Sequence, residues 1–382
     1  MNISYTTAWR ISYLSILAMI ITRMAPPLSW AQTQFLFSYE AGFQRRALLG
    51  ELLVWIFPHG LTEKNTYVIA AVITLLAVAV LFSYISSSYS RLENGGVLLV
   101  LFSFSVGLGT LIGDTGYLDG ILLILAILSL VITMDSVARV AVASLVCIVG
   151  AMFHENMLPF FVPLVMLNIW LQNDTRPMRQ RTMLTALPLV STSIAVALFF
   201  AYGTHSYDVA DSLLRLMQSR SLDFDIRIDT LEPMIDYPNG VERHLDSVWT
   251  TWFYTFQLVV YGAAGLVLLL AFFWVLNRPI SHRTILDRAF IILAIISPVS
   301  LFFVAFDISR FVAIALLNVF IAIAILSRLD QKFREKLPKA ITPTVLIALM
   351  VLQSHIALQD QNVRGHYITT FPGVLMLQKS WF

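Results

Sequence analysis

The sequence predicts an all-α polytopic membrane protein with about 11 transmembrane helices, and three observations lead there. Of the 382 residues, 58% are hydrophobic and only 13% charged, whereas a soluble chain carries roughly 25% charged residues. Mean hydropathy is +0.78, so lipid must cover surface that charge covers in a soluble protein. Apolar runs recur along the chain at close to the length of a crossing, about 20 residues for a ~30 Å hydrocarbon layer. A soluble enzyme, a nucleic-acid binder and a disordered scaffold are thereby excluded. Cys147 lies inside the apolar run 140–150 and says nothing about redox compartment.

Taken in order, the apolar runs place spans at about 11–30, 65–86, 97–113, 118–134, 138–153, 157–171, 183–202, 249–276, 289–306, 310–327 and 340–356. The third to sixth are short, as helices beside a thinned or water-filled cavity are. The first ends at Ser29-Trp30-Ala31, which imitates a signal-peptidase site, and is read as a retained helix. All of 1–382 reads as a single integral-membrane domain. Its one large hydrophilic excursion, 203–247, is a periplasmic loop or cap between helices 7 and 8, with nine acidic residues against Arg215, Arg220, Arg227 and Arg243.

Lys and Arg accumulate in short cytoplasmic loops. With the N-terminus cytoplasmic, the inner segments hold Arg10, Arg91, Arg139, the trio Arg176, Arg179 and Arg181, the trio Arg278, Arg283 and Arg288, and Arg328, Lys332, Arg334, Lys336 and Lys339, which is fourteen of the 25 basic residues. The C-terminus is then periplasmic. Ionisable groups near membrane depth are functional candidates by default. Four clusters of them fall at junctions which this topology puts on the outer face: 39–46, 113–119, 154–156 and 307–310.

In the first outer loop, Leu48, Leu49, Leu52, Leu53, Ile56 and Phe57 recur at helical spacing, predicting an amphipathic interfacial helix from Phe43 to Phe57. Glu40 and the pair Arg45-Arg46 precede it. A carboxylate beside two guanidiniums suits an acid or base working next to a lipid phosphate, which Arg grips through its planar fork. The plainer alternative has both Arg snorkelling to headgroups, with Glu40 paired to one of them. Asp114 and Asp119 open span four, where one carboxylate is expected to cap the helix and leave the other to line a cavity. His154-Glu155 opens span six, with Pro159 in the following turn. It reads either as a cap with an interfacial His or as a His that donates to a phosphate or sugar oxygen while Glu155 orients it.

Asp307 and Arg310 pair on one helical face, and Arg310 at an outward helix N-terminus also offers a site for a phosphate headgroup. Asp223-Phe224-Asp225 looks like a two-aspartate metal motif, but the alternation through Ile226, Arg227, Ile228 and Asp229 fits an amphipathic extended segment better. Trp249, Trp252, Tyr254 and Tyr261 read as an aromatic belt at the start of span eight.

These features together, Glu40 in an amphipathic first outer loop, Asp114 and Asp119 after span three, His154-Glu155 after span five and a long loop between spans seven and eight, resemble the GT-C superfamily of membrane glycosyltransferases, which use polyprenyl-phosphate-linked sugars. His154-Glu155-Asn156 is similar to the His-Glu-Lys motif of some dolichol-dependent members, with Asn156 in place of Lys. The resemblance implies a GT-C-like fold. It also implies that Glu40 is the general base toward the acceptor hydroxyl, where the family more often has Asp, with Asp114 and Asp119 as further catalytic carboxylates. Electrostatics adds Arg45, Arg46 and Arg310 as ligands of the departing phosphate, with His154, Glu155 and Asp307 lining the substrate.

The expected function is an inverting glycosyltransferase of the bacterial inner membrane. It would move a sugar from an undecaprenyl-(pyro)phosphate donor to a glycan or lipid-linked glycan acceptor, such as lipopolysaccharide or O-antigen, among membrane lipids and without nucleic acid. No cofactor is expected, since two Arg can neutralise the leaving group; a divalent metal is left open. A neighbouring alternative is an O-antigen or capsule polymerase joining lipid-linked repeat units. A lipid-linked glycan flippase or transporter and a non-catalytic assembly subunit are alternatives of other classes.

Overall fold

The computed structural model describes residues 4–132, 134–203, 207–231, 262–303 and 307–340, with a few positions beyond. In chain order its helices are α1 Tyr5–Arg23, α2 Ser29–Gln34, α3 Leu48–Ile56, α4 Glu63–Tyr89, α5 Gly95–Ser103, α6 Val106–Gly113, α7 Asp119–Val131, α8 Val137–Phe153, α9 Met157–Phe160, α10 Val162–Gln172, α11 Met178–Tyr202, α12 Tyr207–Arg220, α13 Ala263–Asn277, α14 Ile285–Ile296, α15 Ile308–Leu329 and α16 Gln331–Ala340. A 3-10 segment, Ser297–Phe303, continues α14, and a two-residue antiparallel pair joins Leu358–Gln359 to Tyr367–Ile368. The expected aromatic belt at Trp249, Trp252, Tyr254 and Tyr261, the rest of the cap at 232–247 and most of the expected span 340–356 lie outside the described residues.

Among the described residues four helices are long and apolar enough to cross a membrane: α4, α11, α14 with its continuation to Phe302, and α15. A fifth is counted if α5 and α6, bent by 41°, form one crossing. Helices α7, α8, α10 and most of α13 are apolar but shorter. Local chemistry explains why runs that hydropathy reads as continuous are interrupted. Pro26-Pro27 follows α1, so the first helix ends at Arg23 and not near residue 30. Ser105 accepts from the Leu108 N–H at 3.2 Å and restarts the chain as α6. Pro163 at the start of α10 follows the break at Phe161.

Helix α15 is the hub. Of its most apolar window 89% is buried, against 28% for α11, so α15 faces protein where α11 faces outward. Apolar burial drives little association in lipid, and close backbone approach through small residues carries it instead. A Cβ at Gly107 of α6 would lie 2.6 Å from the Ala313 carbonyl of α15, and one at Gly265 of α13 would lie 2.4 Å from Val312. Polar anchors add to this: Asn318 donates to the Phe160 carbonyl at 2.8 Å and the Ala294 carbonyl at 3.0 Å, and the Tyr89 hydroxyl donates to the Phe320 carbonyl at 3.0 Å.

The chain junctions sort to two ends. At one, Gln172 accepts from the Met134 N–H at 2.7 Å, and Asp330 takes His282 at 3.0 Å and Arg283 at 2.8 Å. The other end gathers the polar clusters described next.

Candidate functional site

The segment that links α2 to α3 forms one side of the site. The amphipathic helix expected from Phe43 starts only at Leu48, because residues 42–47 turn: Gly42 has φ +102 and Arg46 φ +61, the latter being the only non-glycine residue with positive φ among the described residues. The expected amphipathic character is corrected: α3 buries Leu49 and Leu53 but also exposes Leu52, Trp55 and Ile56, so it is apolar on both faces, with Glu51 its single charge. The Tyr39 N–H donates to Glu51 Oε2 at 2.9 Å, and a Cβ at Gly50 would fall 1.8 Å from the Phe37 carbonyl, so the loop backbone rests directly on α3. Tyr39 stacks on Phe43 and Phe43 meets Phe199, which fixes the far side of the loop against the end of α11.

These constraints aim Arg45 and Arg46 inward. Arg46 forms a forked ion pair with Glu155 through Nε, at 3.0 and 3.1 Å, and through Nη2. Arg45 is 6% exposed and lies 4.0 Å above the Phe200 ring, yet its guanidinium makes no hydrogen bond among the described residues and its Nε is buried without a partner. Burial and the neighbouring Arg46 push its pKa down, and Glu155 opposes them. The expected partner, Glu40, sits exposed on the 3-10 turn Tyr39–Ala41, and its charge acts on Arg220. The carboxylate beside the Arg pair is Glu155, which the sequence separates from it by 109 positions.

His154 ends α8, and its Nδ1 accepts from the Asn156 N–H at 3.1 Å, which places the ring proton on Nε2. Burial holds its pKa well below the usual value, and Arg46, Arg310 and Arg45 lower it further against the pull of Glu155, so the ring is neutral. The 3.4 Å contact between His154 Nδ1 and Glu155 is therefore not an ion pair. Glu155 in turn is held far below the ordinary carboxylate range: burial raises its pKa, and Arg46 more than reverses this.

Arg310 lies within electrostatic reach of His154. Its Nε and Nη2 grip Asp119 at 2.6 and 2.7 Å, its Nη1 reaches Asp307 at 3.2 Å, and its guanidinium carbon lies 4.5 Å from the Tyr117 ring centre. The expected Asp307–Arg310 pairing is present. Arg310, the expected phosphate ligand, bonds a carboxylate through each of its three guanidinium nitrogens. The expectation that Asp114 or Asp119 caps the next helix is corrected: Leu118 is the N-cap of α7 and no side chain bonds there, while Asp119 sits in the first turn and turns to Arg310. Asp114 is half-buried and, with Thr74, Thr110, Tyr117 and Asp119, lines a hollow the size of about one water molecule. Gly116, at φ +96, lets Tyr117 lie over Arg310, and a Cβ there would meet Pro27 at 2.5 Å. Tyr117 also stacks on Trp30.

The structure thus brings Arg45, Arg46, His154 and Glu155 into one cluster, and Asp119, Asp307 and Arg310 into a second within electrostatic reach of His154. The described part of the expected cap locks onto the first loop. Arg220 donates to the Leu36 carbonyl at 3.1 Å, and the Arg227 N–H donates to Thr33 at 3.0 Å. Asp223 accepts from the Glu63 N–H at 2.6 Å. The alternation expected there holds for half-buried Phe224 and Ile226 between exposed Asp223 and Asp225, and ends at exposed Ile228 in a 3-10 turn. Among the described residues no group of three or more His, Cys, Asp or Glu is placed to hold a metal.

Glu51, Tyr117 and Arg220 join the site without having been singled out by sequence. Glu51 had one signal, as the single charge in the run LLGELLVWI. No protein-family model matches this chain, and neither curated proteins nor solved structures give a match.

Proposed function

We propose that this chain is an inverting membrane glycosyltransferase of GT-C type that takes a sugar from a polyprenyl-(pyro)phosphate carrier and adds it to a cell-surface glycan. The site is taken to face the periplasm across a bacterial inner membrane, with α1, the α5–α6 pair, the four shorter apolar helices and the expected span 340–356 supplying the remaining crossings of the eleven. The observation that supports this most is Arg45. A buried guanidinium that has no hydrogen-bond acceptor among the described residues, beside an Arg46–Glu155 pair and a neutral His154, is completed by an oxyanion.

The roles follow from which groups are already occupied. Asp119, Asp307 and Glu155 are each tied to a guanidinium and act by positioning. Glu40 is exposed, makes no hydrogen bond among the described residues, and is available as the base. In the proposed step Glu40 takes the proton of the acceptor hydroxyl and the oxygen attacks the anomeric carbon in line. The bond from that carbon to the phosphate oxygen breaks, and the phosphate leaves with its charge met by Arg45. Asp114, half-buried beside the hollow, is assigned the binding of a sugar hydroxyl in this reading.

The test is transfer by the purified full chain from a panel of undecaprenyl-phosphate- and undecaprenyl-pyrophosphate-linked sugars. Glu40→Gln is expected to lower turnover about 100-fold, a typical acid–base contribution, with donor affinity retained. Arg45→Gln is expected to weaken donor binding by about 10- to 100-fold, the worth of a charged hydrogen bond. A single product step supports a transferase, and a ladder of products supports the polymerase. Undiminished turnover in Glu40→Gln removes the base, and absence of donor binding by the parent chain removes the proposal.

A further inference from the structure

The end of the bundle that carries Asp330 holds more positive charge than its acids neutralise. Its two buried carboxylates are both committed: Asp287 accepts from Trp170 Nε1 at 2.6 Å and Arg181 Nη2 at 3.0 Å, and Asp330 accepts from His282 and Arg283. The remaining acid of segments 278–288 and 328–336, Glu335, is exposed and accepts from Gln331 at 3.0 Å. Arg278, Arg288, Lys332 and Lys336 have no carboxylate partner among the described residues.

Two of these cations meet at one serine. Arg288, in the first turn of α14, folds back over the turn that joins α13 to α14: its Nη2 donates to the Ser281 carbonyl at 2.5 Å and its Nε to the Arg283 carbonyl at 3.2 Å. Lys336 of α16 brings its Nζ to 3.5 Å from the Ser281 hydroxyl. Carbonyls orient the guanidinium without cancelling its charge, so a guanidinium, an ammonium and the hydroxyl of an exposed serine share one place at the surface. Phe333 and Leu337 are buried one turn apart, which leaves Lys332 and Lys336 on one row of the outer side of α16. Like charges at that spacing repel, and an anion beside them relieves the repulsion.

The surface next to these cations is apolar. Ile285, Arg288, Ile292 and Ile296 lie on one face of α14 by their spacing, and all three isoleucines are exposed. Helix α14 with its continuation is apolar enough to cross a membrane, so Ile292 and Ile296 run from Arg288 toward the hydrocarbon. Trp274, also exposed, precedes Arg278 by one turn, an aromatic beside a cation as at a membrane boundary. A free phosphate has no use for such a stripe, whereas a phospholipid sets its headgroup at the cations and its chains along the isoleucines.

We infer that Ser281, Arg288 and Lys336 bind the phosphate of one anionic phospholipid, with Lys332 adjacent and the acyl chains along Ile292 and Ile296. The lipid bridges the α13–α14 turn to α16. The inference is independent of the activity proposed above.

The test is the melting temperature of the full chain in dodecylmaltoside micelles, titrated with phosphatidylglycerol, phosphatidylcholine or glycerol 3-phosphate. Phosphatidylglycerol is expected to raise the melting temperature of the parent chain, and the other two are not. Arg288→Gln and Lys336→Gln should each raise the midpoint concentration of that response about tenfold, the worth of one charged hydrogen bond. Lys336 makes a single long contact, so Lys336→Gln tests the site without releasing the turn carbonyls that Arg288 holds. Arg179, at the start of α11, is an exposed cation at the same end, and Arg179→Gln should leave the midpoint unchanged. An equal response to phosphatidylcholine, or an unchanged midpoint in Lys336→Gln, overturns the inference. Equal weakening by Arg179→Gln overturns it in favour of diffuse attraction to a charged surface. A matching response to glycerol 3-phosphate overturns the lipid as occupant.

Discussion

Arg310 faces two carboxylates that are far from equivalent, and the difference is measurable. Asp119 takes Nε and Nη2 at 2.6 and 2.7 Å, and both partners are 7% exposed in their side chains. Asp307 takes only Nη1, at 3.2 Å, with its side chain 34% exposed. Removing one member of a buried pair costs about 3–5 kcal/mol, since the other charge is left without compensation, whereas a solvent-accessible pair is worth about 0–1 kcal/mol. Asp119→Asn leaves Arg310 with Asp307 and the Tyr117 face, which puts the expected loss at the lower end, about 3 kcal/mol. Asp307→Asn is expected to cost at most about 1 kcal/mol. Reversible unfolding in mixed micelles across an SDS titration reads both values, and Asp119→Leu combined with Arg310→Met should cost less than the sum of the two single changes. Equal losses for the two Asn variants, or a larger loss for Asp307→Asn, would refute the view that Asp119 is the carboxylate that neutralises Arg310.

The pH profile of stability carries a second test. His154 has a folded pKa pushed well below the usual ~6.5, so below that pH the unfolded chain takes up a proton that the folded chain refuses, and stability falls with acidification. Glu155 is depressed in the folded state, so its contribution is present above its unfolded value of ~4.3 and fades as pH drops further. Melting temperatures between pH 7.5 and 5 should therefore decline in the parent chain and flatten in His154→Gln; identical slopes would exclude the neutral buried imidazole. At Gly107 the neighbour is backbone, the Ala313 carbonyl 2.6 Å from a Cβ, so Gly107→Ala should destabilise by about 1–3 kcal/mol through overpacking. Gly42→Ala meets nothing within 4 Å but holds φ +102, and should cost about 1 kcal/mol through backbone strain alone. A melting series of the two glycine variants checks that order.

Hydropathy and charge are properties of one stretch of chain at a time, and what depends on them was legible without coordinates. The helical character and the crossing-length runs at α4, α11 and α15 were readable in that way. So was the Asp307–Arg310 pair, because three positions on a helix meet whatever surrounds them. The breaks were harder to see, since Ser105 and the 41° bend after α5 interrupt a run whose composition stays apolar.

The site pairings required the tertiary structure. Arg46 meets Glu155 across 109 positions and Arg310 meets Asp119 across 191, and no local pattern encodes which junctions become neighbours. Proximity in sequence favoured Glu40 as the partner of Arg45 and Arg46. The turn at Gly42 and the left-handed Arg46 send those guanidiniums toward the end of α8 and leave Glu40 exposed. The sequence by itself determined where charge can be afforded in a chain that must face lipid. Packing decided which charges neutralise one another, because ion pairing inside a bundle depends on how closely small residues such as Gly107 and Gly265 let the helices approach.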